Sequence, residues 1–343
     1  MKNIFIYFII FISSLYGLCE AKPSTTKPAA NRIVTSTKRI YLPNYPGAYN
    51  PSIVKFNDSY LLIFRHLPDR GGHPWLSYIG VVLLDEFFEP ISDTQLLDTR
   101  FNSDKTPSQS EDARVFSFNG KYYVIYNDNM DLTFPSIWDR RDMYIAELLY
   151  VDNKFILTDP VKLIHENKYS TVLWQKNWNP FEWDGKLLLS YTINPHEVIY
   201  PDLENGICRH FHETSQQIQW NLGPLRGSSP AQLVNGEYLA FFHSGTYTSS
   251  VCSNNRELWH YYMGAYTFSA NPPFEITKIS SLPINAPSFY TFSSYDKRVI
   301  YPGGFIVDDQ NIYVAYGKDD SEIWIGTLNI NALMQSLVPL NNP

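Results

Sequence analysis

Apolar and polar positions along this chain follow the two-residue period of β-strands, and the runs are broken by Asn/Asp-Gly pairs rather than by helix caps. The clearest stretch runs from Ser110 to Tyr126. Arg114 to Phe118 alternates, Asn119-Gly120 supplies the two positive-φ positions of a type I′ turn, and Tyr122 to Tyr126 is aromatic and β-branched. Glu111, Asp112 and Arg114 lie within four residues at the head of this hairpin. Two acids beside one arginine at a strand start form either a solvated charge cluster or a site.

The pattern recurs four times. Asn50 to Arg65 turns at Asn57-Asp58, Asn179 to Tyr191 at Asp184-Gly185, Ser229 to His243 at Asn235-Gly236, and Gly303 to Tyr316 at Asp308-Asp309. Intervals of about 50 to 73 residues match radially repeated blades. Third strands are expected at Tyr78 to Leu84, Met143 to Leu149, Tyr262 to Phe268 and Ile323 to Leu328. Helical periodicity over a useful length is absent. The pattern predicts an all-β chain folded as a five-bladed β-propeller, with the segment Arg39 to Leu42 completing the last blade and closing the ring.

Composition adds a substrate class and removes another. Aromatic residues make up 16% of the chain, with 25 Tyr and 23 Pro, which suits sheets, tight loops and carbohydrate platforms. A net charge of −7 without a basic stripe excludes nucleic acid as a partner. Lys2 precedes an apolar run from Ile4 to Leu18, and Cys19-Glu20-Ala21 offers a cleavage site. Residues 1–21 are therefore expected to be a signal peptide, residues 22–35 a flexible linker and residues 36–343 the propeller. The run is short for a stable membrane span, so export is expected. Cys208 and Cys252 then either pair in an oxidising compartment or remain two buried thiols.

In a propeller the first strand of each blade lines the axis, so the hairpin heads converge at one mouth. Asn50, Asp112, Arg114, Asn177, Trp178, Arg226, Ser228 and Gly303 are brought together in this way, joined from the second strands by Arg65, Asp128, His196, His243, Asp319 and Asp320. Arg65, Arg114, Asn177, Trp178 and Asp320 are the expected sugar contacts. The mix suits a sugar, with hydroxyls to bond, a ring face to stack and an acid for the glycosidic oxygen. Taken singly, each residue has a plainer reading. An Asp at a strand start is more often a turn residue, His243 a hydrogen-bonded structural residue, Lys176 a solvated loop charge, and Trp174, Trp178 and Trp183 core between blades. No His-x-x-His or Cys-x-x-Cys pair, no G-x-S-x-G elbow at Ser228-Ser229 and no Gly-rich phosphate loop is present, so neither a metal nor a cofactor is expected.

Glu111-Asp112-Ala113-Arg114-Val115 with Gly120-Lys121-Tyr122-Tyr123 resembles the E-D-P-R-V…G-x-Y-Y motif of the β-mannoside phosphorylases and hydrolases, glycoside hydrolase family 130. Gly227-Ser228-Ser229-Pro230 through Gly236-Glu237-Tyr238-Leu239 to His243 resembles its G-x-x-P…G-W-L-x-x-Y-H segment, and Tyr262 to Ala265 its Y-x-x-G-A strand. Tyr301-Pro302-Gly303-Gly304 and Tyr316-Gly317-Lys318-Asp319-Asp320 resemble its closing G…Y-G-x-x-D. The likeness covers roughly residues 45 to 328.

The resemblance implies that Asp112 is a general acid. It would protonate a mannose hydroxyl that relays a proton to the glycosidic oxygen, while phosphate or water attacks the anomeric carbon from the opposite face with inversion. It implies a sugar-binding role for Asp320 and a phosphate-side role for His243 and Arg140. Three departures stand out: Ala113 replaces the usual Pro, the phosphate-binding Lys near Gly223 to Arg226 is missing with only Arg226 to substitute, and Lys176-Asn177 stands where Lys-Asp is common. With export, they favour hydrolysis over phosphorolysis. Glu111 and Asp319 are the candidates for a catalytic base. The expected function is an exported enzyme cleaving β-mannosides or related oligosaccharides, with the oligosaccharide, and inorganic phosphate for phosphorolysis, as partners. A glycan-binding propeller without chemistry and a mannosyltransferase on the same fold are the alternatives.

Overall fold

The computed structural model describes residues 32–70, 76–100, 108–129 and 140–340. The expected signal peptide, and the linker as far as residue 31, lie outside these residues. The linker's last two residues, Val34 and Thr35, already belong to a strand, Val34–Ile40.

The described residues are nearly all β, with one seven-residue α-helix at Ile330–Ser336. All five expected hairpins form: Tyr49–Phe56 with Ser59–His66, Glu111–Phe118 with Lys121–Asp128, Asn179–Trp183 with Lys186–Ile193, Gln232–Val234 with Glu237–Thr248, and Lys297–Asp308 with Asn311–Lys318. The turn chemistry is the one their sequences dictate. Asn119 and Gly120 have φ of 48° and 72°, Asp184 and Gly185 of 50° and 67°, and Asn235 and Gly236 of 52° and 84°. Third strands follow at Tyr78–Leu84, Asp142–Val151, Leu258–Ser269 and Glu322–Asn329. Around Cys208 the chain folds as His196–Pro201 and Ile207–Glu213, which extend the third hairpin into a meander. Cys208 and Cys252 are both free. Burial pushes the Cys208 thiol up to about 12, while Cys252 is only half-buried.

The N-terminal strand Val34–Ile40 pairs antiparallel with Glu322–Asn329, so the first strand of the chain completes its last sheet. Five hydrophobic clusters lie between consecutive meanders. Leu61, Ile63 and Val81 of the first pack against Val115, Val124 and Tyr144 of the second. Phe116, Ile125 and Ile145 pack against Trp178, Leu187 and Ile199. Phe181, Leu188 and Val198 pack against Tyr238, Phe242 and Phe268. Leu239, Phe241 and Ala265 pack against Phe305, Val314 and Tyr316. Ile306, Ala315 and Ile325 return to Ile53, Leu62 and Phe64. Each sheet therefore buries both faces. This is why a second strand such as Leu61-Leu62-Ile63-Phe64 reads as a continuous apolar run instead of alternating. Close packing needs glycine opposite the largest rings. A Cβ on Gly80 would meet the Phe64 ring at 2.2 Å, and one on Gly264 the Phe242 ring at 2.3 Å.

Candidate active site

Three hairpin heads are bulged rather than regular. The pairing register shifts between Tyr49 and Ser52, between Glu111 and Arg114, and between Pro302 and Gly304. Asn50 and Asp112 at the first two shifts have φ of 47° and 50°. Asn and Asp tolerate this left-handed conformation better than other non-glycine residues. At the third shift, a Cβ on Gly303 would sit 2.2 Å from the Pro51 carbonyl oxygen. The bulges turn side chains out of the alternation of their strands and aim them at one another.

Asn50 Nδ2 donates to Asp112 Oδ1 at 2.8 Å, and Arg65 Nη1 approaches the same oxygen at 3.3 Å. Oδ2 makes no hydrogen bond among the described residues. The rest of the Arg65 guanidinium is committed: Nη2 donates to Glu111 Oε1 at 2.6 Å and Nε to Ser77 Oγ at 2.9 Å. Asp112 and Arg65 line a cavity of about 300 Å³ with Asn50, Trp174, Lys176, Asn177, Arg226, His243, Tyr261, Lys297, Tyr301 and Asp320. A second cavity of about 310 Å³ adjoins it and shares Trp174, Lys176, Asn177 and Arg226. Four cationic side chains face two carboxylates in the first cavity, although the whole chain carries −7.

Of the expected residues, Asp112, Arg65, Asn177, Asp320, Arg226 and His243 meet in this cavity. Asp320 Oδ2 accepts from Lys297 Nζ at 3.1 Å. Arg226 is exposed and has no ion pair among the described residues. His243 is sealed beneath the surface, with Nδ1 2.7 Å from Ser228 Oγ. Burial, reinforced by Arg226, pushes its imidazole down to about 3, so the ring is neutral at any physiological pH.

Four expected residues sit elsewhere. Trp178 is not a stacking platform: it is 1% exposed and packs against Tyr191 in the core between the second and third meanders. Arg114 lies behind the cavity wall, 1% exposed, with Nη2 donating to the Trp178 carbonyl oxygen at 2.9 Å. Arg140 points to Asp142, with Nε 2.9 and 3.0 Å from the two carboxylate oxygens, and its guanidinium covers the Tyr169 ring at 3.9 Å. Glu111 does not line the cavity. It accepts from Arg65 and, at 2.7 Å, from Lys176, with Arg141 at 3.5 Å. Burial alone would raise its carboxyl, but Arg65, Lys176 and Arg141 outweigh burial and hold it well below the usual range. A carboxylate held by three cations is a buried counter-ion and a poor base.

The other acids and histidines gathered at strand ends are structural too. Asp319 accepts from the Val299 amide at 2.9 Å. Asp128 is fully buried against Arg100 and Ser110. His196 bonds Ser190 Oγ and the Phe274 carbonyl oxygen, and burial pushes it down to about 4. In their place come Lys176, Trp174, Tyr261, Lys297 and Tyr301. Lys176 and Tyr301 carried a signal in sequence, since each lies just before a hairpin head at Asn179 and Gly303. Trp174, Tyr261 and Lys297 carried none.

No protein-family model and no curated protein matches the sequence. Solved structures do match. A β-1,2-mannobiose phosphorylase from Listeria innocua, solved with β-1,2-mannobiose, is 16% identical and superposes with a TM-score of 0.60 over 88% of this chain and 92% of its own. A glycoside hydrolase of the GH130 family that targets β-1,2-mannosidic linkages in Candida mannan is 14% identical, with a TM-score of 0.61 over 90% and 93%. MPT-4, a mannose phosphorylase from Leishmania mexicana in complex with phosphate, is 12% identical, with a TM-score of 0.51 over 91% and 93%. The fold of this chain is thus that of the glycoside hydrolase family 130 mannoside phosphorylases and hydrolases, the family its motifs resemble.

Proposed function

We propose that this chain is an exported five-bladed β-propeller enzyme that cleaves β-mannosides or related oligosaccharides with inversion, using Asp112 as the general acid. The observation that carries the reading is the Asp112 carboxylate itself. Oδ1 is fixed by Asn50 and Arg65, Oδ2 makes no hydrogen bond among the described residues, and the group lines a cavity of about 300 Å³. The five clusters joining meander to meander, and last to first, support five blades. The apolar run from Ile4 to Leu18 after Lys2 supports export.

For the attacking group, the cavity supports phosphate better than water. Both candidate bases, Glu111 and Asp319, are tied into the protein, and Asp320 is paired with Lys297. An anion, by contrast, finds at the wall Arg226, which has no ion pair among the described residues, with Lys176, itself paired with Glu111, lining the same cavity and the buried Arg114 behind. This reverses the weight that the missing lysine and export gave to hydrolysis. The His243 contribution to such a site is one neutral N–H rather than a positive charge.

The test is a product assay on β-mannobiose with and without phosphate. Mannose 1-phosphate formed only with phosphate is the expected outcome, and Arg226→Ala should raise the KM for phosphate by about tenfold. Mannose released at a rate independent of phosphate returns the reading to hydrolysis. Glycan binding without any product makes the chain a binding module.

A further inference from the structure

In the fourth meander the second and third strands form a hairpin with a longer pairing than the five described above. Glu237–Thr248 and Leu258–Ser269 are twelve residues each and pair in unbroken register from Glu237 with Ser269 to Thr248 with Leu258. The cavity takes His243 and Tyr261 from the middle of this hairpin. The strands then continue past it. His243, Gly245 and Tyr247 alternate onto one face, where Tyr261 opposes Gly245 and Trp259 opposes Tyr247.

The rings on this face are continuous. Ring centroids are 6.2 Å apart from His243 to Tyr261, 5.7 Å from Tyr261 to Trp259 and 5.9 Å from Trp259 to Tyr247. A Cβ on Gly245 would meet the Tyr261 ring at 2.9 Å, so the missing side chain lets that ring lie across the strand. Outward from the cavity the aromatics become exposed, Trp259 by 42% and Tyr247 by 59%. A ladder that served only to pair the strands has no need to begin at a ligand cavity. Adjoining exposed rings of this size are apolar surface left uncovered, a mark of a binding site. Flat aromatic faces suit the C–H face of a sugar ring, whose hydroxyls remain in water at the edges.

We propose that Tyr261, Trp259 and Tyr247 form a stacking track for the sugars of a glycan that extends beyond the cavity. Chains of three or more units, rather than disaccharides, are then the preferred substrate. The proposal rests on the cavity being a sugar site.

Binding is measured calorimetrically on full-length Asp112→Asn protein with β-mannooligosaccharides of two to six units, beside turnover by the unmutated protein. Affinity should rise on the order of tenfold between two and four units. Trp259→Ala should bring the tetrasaccharide down to the affinity of the disaccharide, and Trp259→Phe should recover most of the gain. Equal affinity for every length overturns the track. So does a parallel loss at all lengths in Trp259→Ala, which is what a merely structural ladder would give, and so does self-association of the protein that Trp259→Ala abolishes. Length-dependent binding without turnover keeps the track and sinks the enzyme. Turnover without length dependence does the reverse. Failure to bind any oligosaccharide overturns both.

Discussion

The inner strands are built by opposite rules at their two ends. At the turn end, regular pairing runs into Asn/Asp turns, and the cavity there, about 680 Å³, is lined by residues 53–55, 115–118, 180–182, 230–233 and 305–307. Its wall mixes apolar side chains with Lys55, Glu182 and Asp184 at the turns, and its tyrosines tie neighbouring meanders together: Tyr122 donates to the Lys55 carbonyl oxygen at 3.1 Å, and Tyr238 to that of Glu182. At the other end the register shifts within the strands, Asn50 and Asp112 take positive φ inside their strands, and carboxylates and cations crowd one smaller cavity. Regular strands send successive side chains to opposite faces, so they cannot aim neighbours at a common point. A bulge can. The charged and polar side chains gather where the backbone gives up regularity, and the larger cavity is the plainer one.

This contrast can be broken most sharply at Asp112. Asp112→Asn keeps the shape of the side chain and removes its transferable proton. It should lower kcat about 10²- to 10⁴-fold while glycan affinity, read calorimetrically, stays within a few-fold. Retained turnover in this variant would remove Asp112 from the chemistry.

The residue next to it should behave in the opposite way. Glu111→Gln strands Arg65, Lys176 and Arg141 without their shared anion and should cost about 3–5 kcal/mol of folding stability in denaturant titrations. The pH dependence follows from the sign of the shift. The folded carboxyl is held below its unfolded value, so its stabilisation is present above pH ~4.3 and is lost as pH falls through the folded value. The acid limb of the stability curve should be flatter in Glu111→Gln.

His243 sharpens the comparison by a smaller effect. Its pKa of about 3 lies below the unfolded value of roughly 6.5, so its contribution is complete above pH ~6.5 and fades as pH falls toward 3. Imidazole NMR signals should report a neutral ring at pH 5. A protonated ring there would mean that the cavity holds an anion against it. The least effect is expected at the turn end. Leu233 is 61% exposed on the rim of the larger cavity, and Leu233→Ser should change stability by less than about 0.5 kcal/mol and leave turnover alone.

The sequence by itself determined the hairpins and their number. Turn residues and strand period are local properties, and the Asn119-Gly120 pair needs nothing distant to favour its turn. It also pointed to Asp112, because two acids beside an arginine at a strand head form a local pattern, and the family motif they resemble names that acid. It did not separate Asp112 from Glu111. The two are adjacent in the chain, and only Arg65, Lys176 and Arg141, brought from three other segments, make one a buried counter-ion and leave the other facing the cavity. Nor could it place the tryptophans. Trp174 and Trp178 lie four residues apart, and packing of the second meander against the third buries Trp178 while Trp174 stays 57% exposed at the cavity. Backbone conformation answers to neighbours in sequence. The charge state and exposure of a side chain answer to neighbours in space, which only the packing of sheet against sheet supplies.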